Sequence, residues 1–236
     1  QFGDRIFGCW YTKGHGETDL SSAILSSCDI YFYKTIKYYD FDKLSSFYKM
    51  FGFGIPTGVD IQGESQGVVP TIDYMNKRYG RSGWSKGSLL NYCIGQGELL
   101  VTPMQVFNYT NILATKGSTH KPHFVKAGSA RQQSDSIKIS NDTWKRITMD
   151  MEKVITDEKG TGRAADPLNP NAKIFGKTGT AENPHGEDHA WFIGWMEYFE
   201  KSYSIVVLLE NSGSGGAVAA PVAKIIFEKI ISSPNT

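Results

Sequence analysis

Three strand-length runs follow one another with little chain between them, at residues 172–182, 190–197 and 203–211. A parallel pair needs a crossover of a dozen or more residues, and the gaps at 183–188 and 198–202 are too short for one. The spacing therefore predicts antiparallel neighbours in sequence order. A glycine-rich turn at 213–216 leads into a terminal helix with Val222, Ile225, Ile226 and Ile230 on its apolar side. Consecutive antiparallel strands with helices grouped around them predict an α/β protein of the mixed α+β kind, its helices packed on the sheet.

Upstream, Thr18 can cap a helix that has Asp19 at its positive end and Leu20, Ala23, Ile24 and Ser27 on one face. Residues 42–50 form a second short amphipathic helix, stopped by Gly52 and Gly54-Ile55-Pro56. Residues 58–87 read as loop, which at that length points to a binding rim or cover. Thr102 as cap and Pro103 in the first turn start a helix that ends at Gly117. Another runs over 140–157, with Trp144, Ile147, Met151 and Val154 on one face. With 40% hydrophobic residues, 236 residues can bury one sizeable core, so residues 1–236 are expected to form a single domain.

A net charge of +1, from 25 basic and 24 acidic residues interspersed, gives no field for nucleic acid. The longest apolar runs, such as 205–209, are far short of the ~20 residues a spanning helix needs, so an export signal or anchor is expected outside these residues. Three cysteines, Cys9, Cys28 and Cys93, are too few for a disulfide scaffold.

The first strand run carries Lys177-Thr178-Gly179-Thr180, a cation, two hydroxyls and a glycine, and Ser27-Cys28-Asp29 stands far upstream. Alone, the first reads as an edge strand guarded by a lysine and the second as a helix-end cap. Together they resemble two of the three motifs of serine acyl-transfer enzymes that act on D-alanyl peptides and β-lactams, with Asp29 standing where the Ser-x-Asn triplet has Asn.

Further segments extend the match in order: residues 9–16, 26–33, 51–54 with 57–61, 94–97 with 102–103, 177–182 and 189–194. The ordered series resembles the transpeptidase domain of class B penicillin-binding proteins of the cell-elongation type, penicillin-binding protein 2, over nearly the whole chain. The resemblance implies the penicillin-binding/β-lactamase-like fold with its N-terminal part missing. In that family the nucleophile belongs to a Ser-x-x-Lys motif that precedes the Ser27 triplet, and no such string stands ahead of Ser27 here. Two later strings, at 46–49 and 118–121, are read as decoys, because four residues with two free positions carry little specificity.

The implied activity is D,D-transpeptidation of D-Ala-D-Ala stem peptides in peptidoglycan, with β-lactams as inhibitors and no cofactor needed. Lys177 supplies a positive field for the substrate's terminal carboxylate, Thr178 and Thr180 offer hydroxyls, and Gly179 lets the peptide approach the strand. By resemblance the Thr180 N–H belongs to the oxyanion hole, Ser27 relays a proton to the leaving amine, and Asp29, which as a carboxylate cannot donate, positions the nucleophile's lysine. The parent is expected in the periplasm, anchored in the inner membrane and partnered with a glycan polymerase, while the present residues are expected not to acylate by themselves. The alternatives are a β-lactam sensor or scaffold, or a serine β-lactamase or D,D-carboxypeptidase.

Cys9, His15 and Cys28 offer two thiolates and an imidazole, a structural zinc set one ligand short of four. A Cys9–Cys28 disulfide and two free thiols are the other readings of the same residues.

Overall fold

A computed structural model describes residues 6–85, 87–118, 121–125 and 136–233. In chain order the described elements are α1 (Leu20–Ser26), α2 (Asp29–Thr35), α3 (Phe41–Met50), α4 (Ile72–Tyr79), α5 (Gly87–Cys93), α6 (Pro103–Ala114), α7 (Asn141–Thr156), β1 (Ala172–Ala181), β2 (His189–Tyr198), β3 (Lys201–Leu209) and α8 (Ala220–Ile231). The fold is mixed α+β. Its sheet has the order β1-β2-β3 and is antiparallel throughout, with Lys177 opposite Ile193 and Gly179 opposite Trp191. β2 lies in the middle, so among the described residues one edge of β1 has no strand beside it.

Alternating side chains send the sheet's two faces into different cores. Ile174, Phe192, Met196, Ile205 and Val207 pack with Ala223 and Phe227 of α8 and with Val154 and Ile155 of α7. On the opposite face Phe175 and Trp195 stack at 4.7 Å between centroids and meet Ile112 and Leu113 of α6 and Trp144 and Met151 of α7. Helix α7 joins both cores at the β1 side, so β1 is held rigidly although one of its edges is open.

Helix α1 is tied to this frame through a buried acid. Asp150 of α7 is fully enclosed and accepts from Ser21 Oγ of α1 and, at 3.0 Å, from Arg146 Nε. A buried carboxylate without such donors would be costly, so the pairing fixes the helix whose last turn leads into Ser27.

Three local expectations need correction. The cap of α1 is Asp19 and not Thr18: Asp19 accepts from Ser22 N at 2.8 Å and its own N–H reaches Ser22 Oγ at 2.9 Å, a reciprocal pair that Thr18 cannot make. The Thr18 hydroxyl donates instead to Gly16 O. Residues 58–87 are not one loop, because Thr71 caps α4 and Met75 of that helix is buried. The helix expected from residue 42 begins at Phe41, where the Asp40 carboxylate accepts from Lys43 N at 2.6 Å.

Candidate active site

Ser27 is the C-cap of α1 and adopts the left-handed conformation, φ 53° and ψ 52°. A residue with a Cβ pays roughly 1–2 kcal/mol there, so neighbours must hold the turn. Trp10 does so from outside: its Nε1 donates to Ser26 O at 3.1 Å and Ser27 O at 3.0 Å, and its backbone N donates to Asp29 Oδ2 at 3.2 Å. Cys28 N closes the helix end on Ala23 O at 2.9 Å. The left-handed turn lifts the Ser27 side chain off the helix, and Asp29 restarts the chain as the first residue of α2.

Lys177 meets Ser27 from β1. Its Nζ donates to Ser27 Oγ at 2.8 Å and to Thr178 O at 2.9 Å. Burial lowers the Lys177 pKa to about 8, against the charge of Asp29, which favours the ammonium. Burial, helped by the Asp29 carboxylate, pushes the Tyr33 hydroxyl up to about 12.

In an antiparallel ladder, alternate residues direct both backbone groups to the same edge. Thr178 O is taken by Lys177 Nζ and Thr180 O by Gln96 Nε2 at 2.9 Å, so the even-numbered residues of β1 face the open edge. The Thr180 N–H therefore points out along that edge beside the ammonium. Side chains alternate independently of this. Lys177 and Gly179 share one face, where a Cβ on Gly179 would meet only Trp191 Cβ at 3.3 Å. Thr178 and Thr180 share the other: Thr178 Oγ1 pairs with Thr161 Oγ1 at 2.9 Å, and Thr180 Oγ1 accepts from Gly215 N at 3.3 Å. A hydroxyl that accepts keeps its hydrogen to give away.

Residues 1–228 match the family model of the penicillin binding protein transpeptidase domain. The chain belongs to the penicillin-binding-protein transpeptidase family. It is 35% identical to the peptidoglycan D,D-transpeptidase MrdA of Haemophilus influenzae, over 95% of this chain and 38% of that protein. Among solved structures it superposes on Pseudomonas aeruginosa PBP2 in complex with WCK 5153 with a TM-score of 0.87 and 32% identity, covering 98% of this chain and 51% of that one. It superposes with a TM-score of 0.86 and 27% identity on a chain of a peptidoglycan synthase complex described as coordinating polymerization and crosslinking, covering 100% of this chain and 41% of that one. The chain thus spans well under two thirds of the curated relative it matches. No helix among the described residues is long and apolar enough to cross a membrane.

Three residues around this candidate site are not singled out by the sequence, although two of them lie in the matched segments 9–16 and 94–97. Gln96 receives Glu182 N on its Oε1 at 3.3 Å while donating to Thr180 O. Thr161 reaches β1 from the turn after α7, and its backbone N donates to Leu25 O of α1. Trp10 is 60% exposed and still holds the Ser27 turn. Only Gln96 leaves a local signal, a polar residue between Gly95 and Gly97, both at positive φ.

The chain also brings Cys9, His15 and Cys28 together, with their ligand atoms all within 4.8 Å of one another. Cys9 Sγ lies 3.6 Å from His15 Nδ1, Cys28 is buried, and all three cysteines are free thiols. Burial raises the Cys9 pKa. Two soft sulfurs and an imidazole in one corner suit a zinc ion's ligand preference.

Of the two Ser-x-x-Lys strings, Ser46 donates to Asp42 O of its own helix on an exposed face. Thr119 and His120 of the second string lie outside the described residues, and Lys121 packs its ammonium end beside Gly58.

Proposed function

We propose that this chain forms the substrate-clamping side of a serine D,D-transpeptidase that cross-links peptidoglycan, completed by a Ser-x-x-Lys nucleophile from outside these 236 residues. The observation that carries the reading is the 2.8 Å bond between Lys177 Nζ and Ser27 Oγ at the open edge of β1. An ammonium donates only, so Ser27 accepts from it and keeps its own hydrogen to give to another group. The names of the curated relatives support the D-alanyl peptide as donor.

In the proposed reaction the nucleophile's oxygen attacks the carbonyl carbon between two D-alanines and its proton passes to the motif lysine. Negative charge gathers on the carbonyl oxygen opposite the Thr180 N–H, a position where one donor is worth about 2.7–4 kcal/mol of barrier. The C–N bond breaks as Ser27 gives its hydrogen to the departing nitrogen and is reprotonated by the motif lysine. An acceptor amine then attacks the ester carbon, forms the new amide and returns the serine oxygen with a proton. Lys177 holds the terminal carboxylate throughout the first half, and Asp29 orients the motif lysine.

The parent would work in the periplasm, anchored in the inner membrane and paired with a glycan polymerase, a partner suggested by the synthase complex to which the chain is similar. β-Lactams would acylate the same serine. Zinc would be a structural ion held by Cys9, His15 and Cys28 with a fourth ligand from elsewhere, fixing the segment that carries Trp10. A fluorescent penicillin tests the whole reading. The full-length protein should form a stable adduct on its upstream serine, and residues 1–236 alone should take no label. Rapid loss of the adduct would favour a β-lactamase, and labelling of Ser46 or Ser118 would overturn the assignment.

A further inference from the structure

The Gln96 amide occupies the β1 edge as one residue of an added strand would. A residue in a parallel ladder gives its N–H to one carbonyl and accepts from the N–H two residues further on. Gln96 does this with a side chain, donating to Thr180 O at 2.9 Å and accepting from Glu182 N at 3.3 Å. The loop that carries it is held on both sides. Gly95 and Gly97, at φ 80° and 79°, bend the chain so that Gln96 N returns to Asn91 O at 2.9 Å. Two residues on, Glu98 pairs with Arg78 at 3.2 Å and accepts from the Tyr79 hydroxyl, both at the end of α4. Gln96 is therefore a fitted part and not a wandering surface amide.

An extended peptide laid antiparallel on β1, with its scissile carbonyl on the Thr180 N–H, would place the N–H of that same residue on Thr180 O, because a hydrogen-bonded pair exchanges both bonds. That acceptor is where Gln96 Nε2 already sits. We propose that Gln96 is a specificity-determining residue that competes with the donor peptide's own N–H for the Thr180 carbonyl and ends peptide pairing along β1 at that position. The inference rests on the transpeptidase reading above and assigns this edge a built-in competitor. A donor gains from its amide N–H only what remains after Gln96 has been displaced or has shared the oxygen.

The experiment uses the full-length protein and two thioester donors, benzoyl-D-alanyl thioglycolate and its N-methylated form, which lacks the competing N–H. Gln96→Glu keeps the acceptor for Glu182 N and removes the donor to Thr180 O; Gln96→Ala removes both. The ratio of kcat/KM for the N–H donor over the N-methyl donor should rise about fivefold in each variant, the worth of one neutral hydrogen bond. A carboxylate at position 96 changes the field for both donors alike, so the ratio isolates the hydrogen bond. A ratio that stays the same or falls in both variants, with an active wild type, overturns the inference, including the case where both rates drop together. A wild type inert toward the thioesters and toward the fluorescent penicillin defeats the transpeptidase reading itself, and this inference with it.

Discussion

Lys177 Nζ and Ser27 Oγ are 2.8 Å apart although 150 positions separate them in sequence. The contact exists because two rigid supports converge on it. β1 is pinned between two cores through α7, and α1 is tied to the same α7 through Asp150. What remains local is the left-handed turn at Ser27, where backbone strain and the proposed proton relay oppose each other.

Replacing Ser27 by glycine should separate the two. Glycine relieves the positive φ, so Ser27→Gly should match or exceed wild type in chemical denaturation, by up to about 1 kcal/mol. Ser27→Ala should lose the hydroxyl and keep the strain. Both variants of the full-length protein should acylate with penicillin at least 10²-fold more slowly, the lower end of what a positioned proton donor contributes (about 10²–10⁴). A glycine variant that acylates normally would remove Ser27 from the proton path.

The pH dependence follows from Lys177. Burial holds its pKa near 8, so the ammonium proposed to clamp a carboxylate is lost as pH rises through that value. The profile of kcat/KM reports the free enzyme and should show an alkaline limb near pH 8. Asp29 acts in the other direction, so Asp29→Asn should move that limb to lower pH. Stability has the opposite trend. The folded pKa lies below the unfolded value of 10.5, so between about 8 and 10.5 the unfolded chain binds more protons and this residue's contribution rises with pH. Denaturation of Lys177→Met and wild type across that window checks the sign: the stability of wild type minus that of the variant should increase with pH.

Much of this was legible in the chain, for physical reasons that differ by element. Short gaps between apolar runs leave antiparallel pairing as the one solution, so β1 to β3 could be read directly. Helix α4 could not, because Gly63, Gly67, Pro70, Gly80 and Gly83 surround it with breakers while its inward face rests on Met75. Ser27 and Lys177 were marked by motif chemistry. Gln96 bonds to β1 backbone 84 and 86 positions away, Thr161 pairs its hydroxyl with that of Thr178 17 positions away, and Trp10 bonds to residues 16 to 19 positions away, and no local periodicity encodes such contacts.

The thiol and imidazole corner gives a metal prediction. The full-length protein purified without added metal should carry close to one zinc, and Cys9→Ser or His15→Ala should lose most of it. Chelation should lower the thermal midpoint of wild type more than that of Cys9→Ser. Trp10 follows Cys9 directly and holds the Ser27 turn, so metal loss should also alter tryptophan fluorescence and slow penicillin acylation. Equal, negligible zinc in wild type and Cys9→Ser would leave the three residues as a thiol-histidine contact only.

Two glycines at the same strand crossing should fail in opposite ways. Gly215 opens the π-helical turn Gly215–Ala219, and a Cβ there would collide with backbone oxygens of Gly179 and Trp191. Backbone in a central sheet cannot give way cheaply, so Gly215→Ala must lift the turn and break the Gly215 N bond to Thr180 Oγ1. A cost of about 1–3 kcal/mol is expected, as for other overpacked sites, with a thermal midpoint several degrees lower. Gly179→Ala meets only Trp191 Cβ at 3.3 Å and lies on the Lys177 face of the strand. Its midpoint should stay within about 2 °C of wild type, a shift of at most about 1 kcal/mol, while penicillin acylation of the full-length protein falls sharply because the new methyl stands where the donor is proposed to approach. Differential scanning fluorimetry and acylation kinetics on both variants give the comparison, and a Gly179→Ala enzyme of normal rate would place the donor elsewhere than on β1.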